Sequence, residues 1–159
     1  METLLKLLRD NPRISVSELS KLLNISEDEV NKRIKQLQDN GIILGYRTVL
    51  NEEKLGLDLV RALIEVKITP ERGGGFDRLA ERIAKYNEVR SCYLMSGAYD
   101  LMVIVEGDSL KDVARFVSEK LATIPGVIST STHFMLKPYK EQGILVKREE
   151  NNERLPVTP

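Results

Sequence analysis

The chain has 159 residues, 42% of them hydrophobic and 30% charged, and its 24 basic and 24 acidic side chains cancel. That length holds one ordinary domain or two small ones with a true core, and the even balance gives no global electrostatic pull toward nucleic acid or a membrane surface. No apolar run approaches the roughly 20 residues that span a bilayer, no secretory pattern opens the sequence, and one cysteine (Cys92) with one histidine (His133) is too small a ligand set for zinc. The expectation is a cytoplasmic protein with no membrane segment, metal or cofactor, its thiol reduced and buried in an apolar run.

Leu4, Leu5, Leu7 and Leu8 fall mostly on one face of a helix over residues 3–10, and Asn11-Pro12 ends that helix. A second helix follows, with Ser15 and Glu18 at capping-box spacing and Val16, Leu19, Leu22 and Leu23 as its apolar stripe. Asn24-Ile25 is a tight connection. Ser26 and Glu29 then repeat the capping-box spacing ahead of a third helix that runs to Asn40, where Gly41 suits a left-handed terminating residue. Three helices with a short turn between the second and third are the makings of a helix-turn-helix.

In the third helix Val30, Ile34 and Leu37 fall at i, i+4 and i+7 and must face the other two, which leaves Asn31, Lys32, Lys35 and part of Arg33 outward. Over residues 31–47 the bases Lys32, Arg33, Lys35 and Arg47 stand against Asp39 alone, a net +3 in an otherwise balanced molecule. Such a helix can enter a major groove with its N-terminal half toward the bases. A solvated helix face explains the same charge pattern without DNA. Glu27, Asp28 and Glu29 suit the helix dipole but repel phosphate, and Glu29 is assigned to capping rather than base reading. Residues 42–49 are expected to form two short strands turning at Gly45, a wing from which Arg47 reaches toward a phosphate while Tyr46 packs. The N-terminal domain thus takes residues 1–50 and a linker residues 51–59.

Beyond the linker the apolar period changes. Val60, Ala62, Ile64, Val66 and Ile68 alternate with polar or exposed positions, so residues 60–68 read as a strand with one covered face. Gly73-Gly74-Gly75 matches neither a P-loop nor a dinucleotide fingerprint and is read as a mobile entry to a helix over residues 76–86 that buries Phe76, Leu79, Ala80 and Ile83. Two apolar runs, residues 89–95 and 101–106, make a hairpin. Ser109 with Asp112 caps a helix carrying Leu110, Val113, Phe116, Val117 and Leu121, and Pro125-Gly126 turns the chain into a last strand over residues 127–136. The order βαββαβ is that of a ferredoxin-like sandwich, here over residues 60–146. The fold class is therefore α+β, a winged helix-turn-helix followed by a sandwich whose helix-free sheet face needs a cover, most economically a partner subunit. Gly143-Ile144-Leu145-Val146 would add a short edge strand, and residues 147–159 read as a frayed tail.

The hairpin tip, Ser96-Gly97-Ala98-Tyr99-Asp100, has the residues of an ordinary loop. Tyr99 is the exception: an aromatic hydroxyl beside a glycine turn and a carboxylate is equipped to close over a small polar molecule or to pack on a neighbouring subunit.

Taken together, these features resemble the Lrp/AsnC regulators of bacteria and archaea, from about Leu4 to Leu136. The N-terminal part is similar to that family's helix-turn-helix in Ser26-x-x-x-Val30-x-x-Arg33-Ile34-x-x-Leu37-x-x-x-Gly41-Ile42-Ile43 and the following Gly45-Tyr46. Leu50-Asn51-x-x-x-Leu55-Gly56-Leu57 follows its linker, and Gly97-x-Tyr99-Asp100 ahead of an apolar strand is the most telling signature. The resemblance implies a transcription regulator that binds double-stranded DNA and dimerises through its C-terminal sheets, with dimers assembling to a tetramer or octamer. It also implies that an amino-acid effector binds between dimers near the hairpin. By position, Gly97, Ala98, Tyr99 and Asp100 would form one wall of that pocket and Thr130 with Thr132 the other, although the two threonines fit equally well as ordinary strand residues. The DNA contacts would be Asn31, Lys32, Arg33, Lys35 and Arg47.

Two other functions fit the architecture. Proteins of this two-domain plan also resemble the siroheme decarboxylases, but chemistry on a tetrapyrrole's carboxylates wants basic residues and histidines around them, and this chain offers only His133. A ligand-independent architectural DNA-binding protein would differ only in ignoring metabolites.

Overall fold

Helices α1 (Thr3–Asp10), α2 (Val16–Leu23) and α3 (Glu27–Asp39) bury Leu4, Leu8, Leu19 and Val30 in a common core, with Ile34 and Leu37 half-buried beside them. The computed structural model describes residues 2–70 and 75–146 and divides into two units, Met1–Thr48 and Val49–Pro159. Ser15 and Ser26 start α2 and α3 by accepting hydrogen bonds from the backbone N–H of Glu18 and Glu29, at 3.1 and 3.2 Å. Gly41 closes α3. Its φ of +67° lets the Ile42 N–H turn back to the Leu37 carbonyl at 2.9 Å, a conformation any residue with a Cβ would resist.

Two expectations for this unit fail on packing grounds. Leu22, placed on the apolar stripe of α2 by its spacing, is 59% exposed, because Leu19 with half-buried Val16 and Leu23 already fills the inner side of this eight-residue helix. Residues 42–49 contain no strand. A ribbon of three residues either side of Gly45 has no third strand to lie on and is marginal alone. Tyr46 accordingly does not pack; it is 51% exposed and Leu44 is 94% exposed.

In the second unit the linker carries one turn of helix, α4 (Glu52–Leu55), started by the Asn51 side chain, which accepts from the Lys54 N–H at 3.2 Å. Then come β1 (Val60–Ile68), α5 (Asp77–Ala84), β2 (Val89–Leu94), β3 (Leu101–Gly107), α6 (Leu110–Arg115) and β4 (Val127–Phe134). The sheet is antiparallel throughout in the order β2-β3-β1-β4. Of the expected Gly73-Gly74-Gly75 loop, Gly73 and Gly74 lie outside the described residues, as does the expected tail, residues 147–159. Phe76 stands at the start of α5 rather than within it.

The alternation read from β1 holds from Ala62 to Ile68, while Val60 at the strand's start is half-buried. Ala62, Ile64, Val66 and Ile68 are buried, as are their neighbours Leu101, Val103 and Val105 on β3, against Leu79 and Ile83 of α5 and Val113 of α6. The helix after Ser109 is not uniform: α6 passes at Phe116 into a π-helical turn, Phe116–Leu121, that aims Phe116 and Leu121 together with Ile124 into this core. Leu110, expected inside, is 58% exposed on the first turn. Cys92 faces the core partly buried, its thiol 3.9 Å from the Ala80 carbonyl and pushed up in pKa by burial.

The opposite sheet face carries no helix. Register places Arg61, Leu63, Glu65 and Lys67 of β1 there, with Met102, Ile104 and Glu106 of β3, Ser91 and Tyr93 of β2, and Ser129, Ser131 and His133 of β4. Instead of an added edge strand, the C-terminal apolar residues make a separate hairpin, β5 (Lys140–Glu141) with β6 (Ile144–Leu145).

Candidate functional site

The charges of α3 are less free than their sequence suggests. Arg33 Nε donates to Glu29 Oε1 at 2.9 Å, and Lys35 Nζ donates to Asp39 Oδ2 at 2.8 Å, each pair one helical turn apart. Widening the count from residues 31–47 back to Glu27 adds three carboxylates, which cancel the net +3. Asn31 and Lys32 are exposed, Arg33 is half-buried, and Arg47 is exposed in the segment after the helix. Glu29 does more than cap: its backbone N–H goes to Ser26, while its carboxylate holds Arg33. The hydrogen bond from Arg33 keeps that carboxyl below its usual range, outweighing the opposing effect of burial, so Glu29 is ionised at neutral pH.

The hairpin tip is built around Asp100. Its Oδ2 accepts from the Ile68 N–H at 2.8 Å, its own N–H reaches the Val66 carbonyl at 3.1 Å, and its carbonyl accepts from the Met95 N–H at 2.8 Å. Asp100 thus extends the β1 ladder one residue before β3 begins at Leu101. Gly97, with φ +134°, makes the bend, and no neighbouring heavy atom lies within 4 Å of where its Cβ would be. Ala98 is exposed and Tyr99 is half-buried.

Thr130 pairs with Val66 and Thr132 with Ile64, so both point to the helix-bearing side while Ser129 and Ser131 take the bare side. Leu101, next to Asp100, pairs with Val66 from the other flank. Asp100 and Thr130 therefore sit at the same end of the sheet with one strand between them, about 10 Å apart at two strand spacings. Thr132 is a further ~7 Å along β4. None of these residues lines the cavity of 590 Å³ at the sheet's other end, whose walls include Leu57, Arg61, Met135, Leu136 and Glu141.

Sequence reasoning passed over Arg61. It lies on the bare face and binds Glu52 of α4 on one side and, through Nε, Glu106 at 3.0 Å on the other; Arg90 Nη2 meets the same Glu106 at 2.8 Å. The cross-strand pairing of Arg61 with Glu106 would have revealed it only once the β1–β3 register was known.

Residues 2–43 match the winged helix-turn-helix DNA-binding domain, and residues 61–145 match the Lrp/AsnC ligand binding domain. The chain belongs to the Lrp/AsnC family. An uncharacterized HTH-type transcriptional regulator of Bacillus subtilis (strain 168), YugG, is 43% identical over 157 residues, 98% of this chain and 95% of that protein. The proline dehydrogenase transcriptional activator of Rhizobium radiobacter is 36% identical over 141 residues, 89% and 90% of the two chains. Among solved structures, the L-Met complex of the transcriptional regulator NMB0573 from Neisseria meningitidis superposes with a TM-score of 0.68 at 28% identity, covering 91% of this chain and 96% of that one. As an Lrp/AsnC protein this chain is a transcription regulator with a DNA-binding and a ligand-binding domain, not an enzyme, and the decarboxylase alternative falls away. Among the described residues, no helix is long and apolar enough to cross a membrane.

Proposed function

We propose that this Lrp/AsnC protein pairs through the helix-free faces of its sheets, that a free amino acid binds near the hairpin between the resulting dimers, and that the assembly it favours sets promoter occupancy. The observation that carries the reading is the bare sheet face, on which Tyr93 is 50% exposed beside half-buried Leu63, Met102 and Ile104. Apolar side chains on an uncovered sheet need a partner. A second copy presents the same strip, and a two-fold axis makes it self-complementary. The structural relative solved with L-Met and the relative named for activating proline dehydrogenase support an amino acid or a related metabolite as the effector.

Gly97, Ala98 and Tyr99 are the effector wall, with Thr130 and Thr132 across β1. Asp100 holds this wall in place and has its second oxygen left for a ligand's ammonium. Asn31, Lys32 and Arg47 supply the exposed DNA contacts, and Arg33 and Lys35 join them from their pairs with Glu29 and Asp39. Two α3 helices related by the dimer axis then meet half-sites about 34–36 Å apart, which calls for a palindromic operator.

Binding to DNA from upstream of its own gene, titrated with each of the twenty amino acids, tests this. At least one amino acid is expected to change affinity or complex size, and Tyr99→Ala is expected to abolish the response while keeping DNA binding. Loss of DNA binding in the Lys32→Ala, Arg33→Ala, Lys35→Ala triple variant locates the reading helix. Undiminished binding by that variant would overturn the helix assignment, and a wild type indifferent to every amino acid would leave an architectural DNA-binding protein.

A further inference from the structure

Glu29 and Arg33 lie on one flank of α3 in its N-terminal half, the half that meets base edges in a major groove. Their side chains are 38% and 42% exposed, each partly shielded and partly open to solvent. Only Nε of the Arg33 guanidinium is engaged by Glu29. Its Nη groups keep the paired donors of the planar fork, and the fork can no longer swing freely about the end of its stem. Guanine asks for this arrangement, since its O6 and N7 accept from two roughly parallel donors. Glu29 is itself fixed, because its backbone N–H is tied to Ser26 at 3.2 Å. The other pair on the helix offers no such device: Lys35 is a point charge, its partner Asp39 is the last helical residue, and both are more exposed, at 74% and 60%.

We infer that Glu29 is a positioning residue that orients Arg33 to read a guanine in each operator half-site. The inference rests on the DNA-reading function proposed above. Because the pair is neutral as a unit, it adds discrimination among sequences more than attraction to phosphate, whereas Lys32 does the reverse.

Selection from a pool of randomised duplexes, with the full chain as wild type, Glu29→Ala, Glu29→Gln and Arg33→Ala, separates these roles. Wild type is expected to recover sites with a guanine at one symmetric position. Arg33→Ala should lose that preference. Glu29→Ala should weaken it by about tenfold while binding mixed-sequence DNA as well as wild type or better, since a carboxylate has gone. Glu29→Gln keeps an acceptor for Nε and should restore most of the preference. None of these side chains belongs to the buried core, and a helical circular dichroism spectrum checks that each variant is folded. Wild-type binding with no guanine preference that depends on Arg33 overturns the inference and leaves DNA reading standing, as does full retention of the preference by Glu29→Ala. Failure of the folded wild type to retain any duplex sinks both.

Discussion

The Asp100 carboxylate receives the N–H of a residue 32 positions earlier, Ile68, at a point where β1 has outrun β3. Without it that donor would face the end of the sheet with no protein acceptor. Replacing Asp100 by alanine should cost about 1–3 kcal/mol in chemical denaturation, and by asparagine, which keeps an oxygen in place, clearly less. Equal, negligible effects of both would contradict the role. The consequence for function is practical: a weakened effector response in Asp100→Ala would mix a damaged hairpin with a lost contact, so Tyr99 is the cleaner probe. The motif was legible as residues, since glycine, tyrosine and aspartate at a hairpin tip stand out. What Asp100 does was not, because its partner is set by the register of a strand far away in sequence. The same holds for Glu29, whose spacing from Ser26 announced a cap, while the ion pair its carboxylate makes with Arg33 one turn on was not read from the sequence.

Strands β2, β3 and β1 and the linker helix α4 are stitched by a chain of charges, Arg90 to Glu106 to Arg61 to Glu52. The Glu106 side chain is only 8% exposed and that of Arg61 18%, so the linker's attachment to the sheet depends on shielded ion pairs rather than on surface ones. Burial by itself would raise the Glu106 pKa, yet hydrogen bonds from Arg61 and Arg90 outweigh it and hold the carboxyl below its ordinary 4.5. A carboxyl depressed on folding contributes stability above its unfolded pKa and loses that contribution as the pH falls through the folded value. Wild type should therefore be more stable than Glu106→Gln at pH 7, by a few kcal/mol, and the gap should close below about pH 4.5 in urea titrations at stepped pH. A gap independent of pH would remove the ionic account. At this scale the sequence was most informative where one periodic signal ran long enough, as along β1. It was least informative where tertiary contacts decide. The π-turn after α6 follows from how Phe116 and Leu121 must reach the core, and the absence of wing strands follows from arms too short to pair stably either side of Gly45, with Ile43 packed on the helical core instead.

For the whole molecule, two small units with separate cores share one chain, and the larger has a finished face and an unfinished one. The finished face is the helix-covered core. The unfinished one sets Leu63, Tyr93, Met102 and Ile104 among Glu65, Lys67 and His133, the mixture of apolar and polar side chains that suits a specific contact. Such a face leads from fold to regulation, because a ligand can alter DNA occupancy through assembly only if there is an assembly to alter. The direct test is the mass of the protein in solution by light scattering at micromolar concentration, for wild type and for the Leu63→Asp, Ile104→Asp double variant. Wild type should weigh at least twice one chain, and the double variant should weigh one chain while keeping its circular dichroism spectrum. A wild type that weighs one chain, or a folded double variant that still pairs, would contradict the central claim.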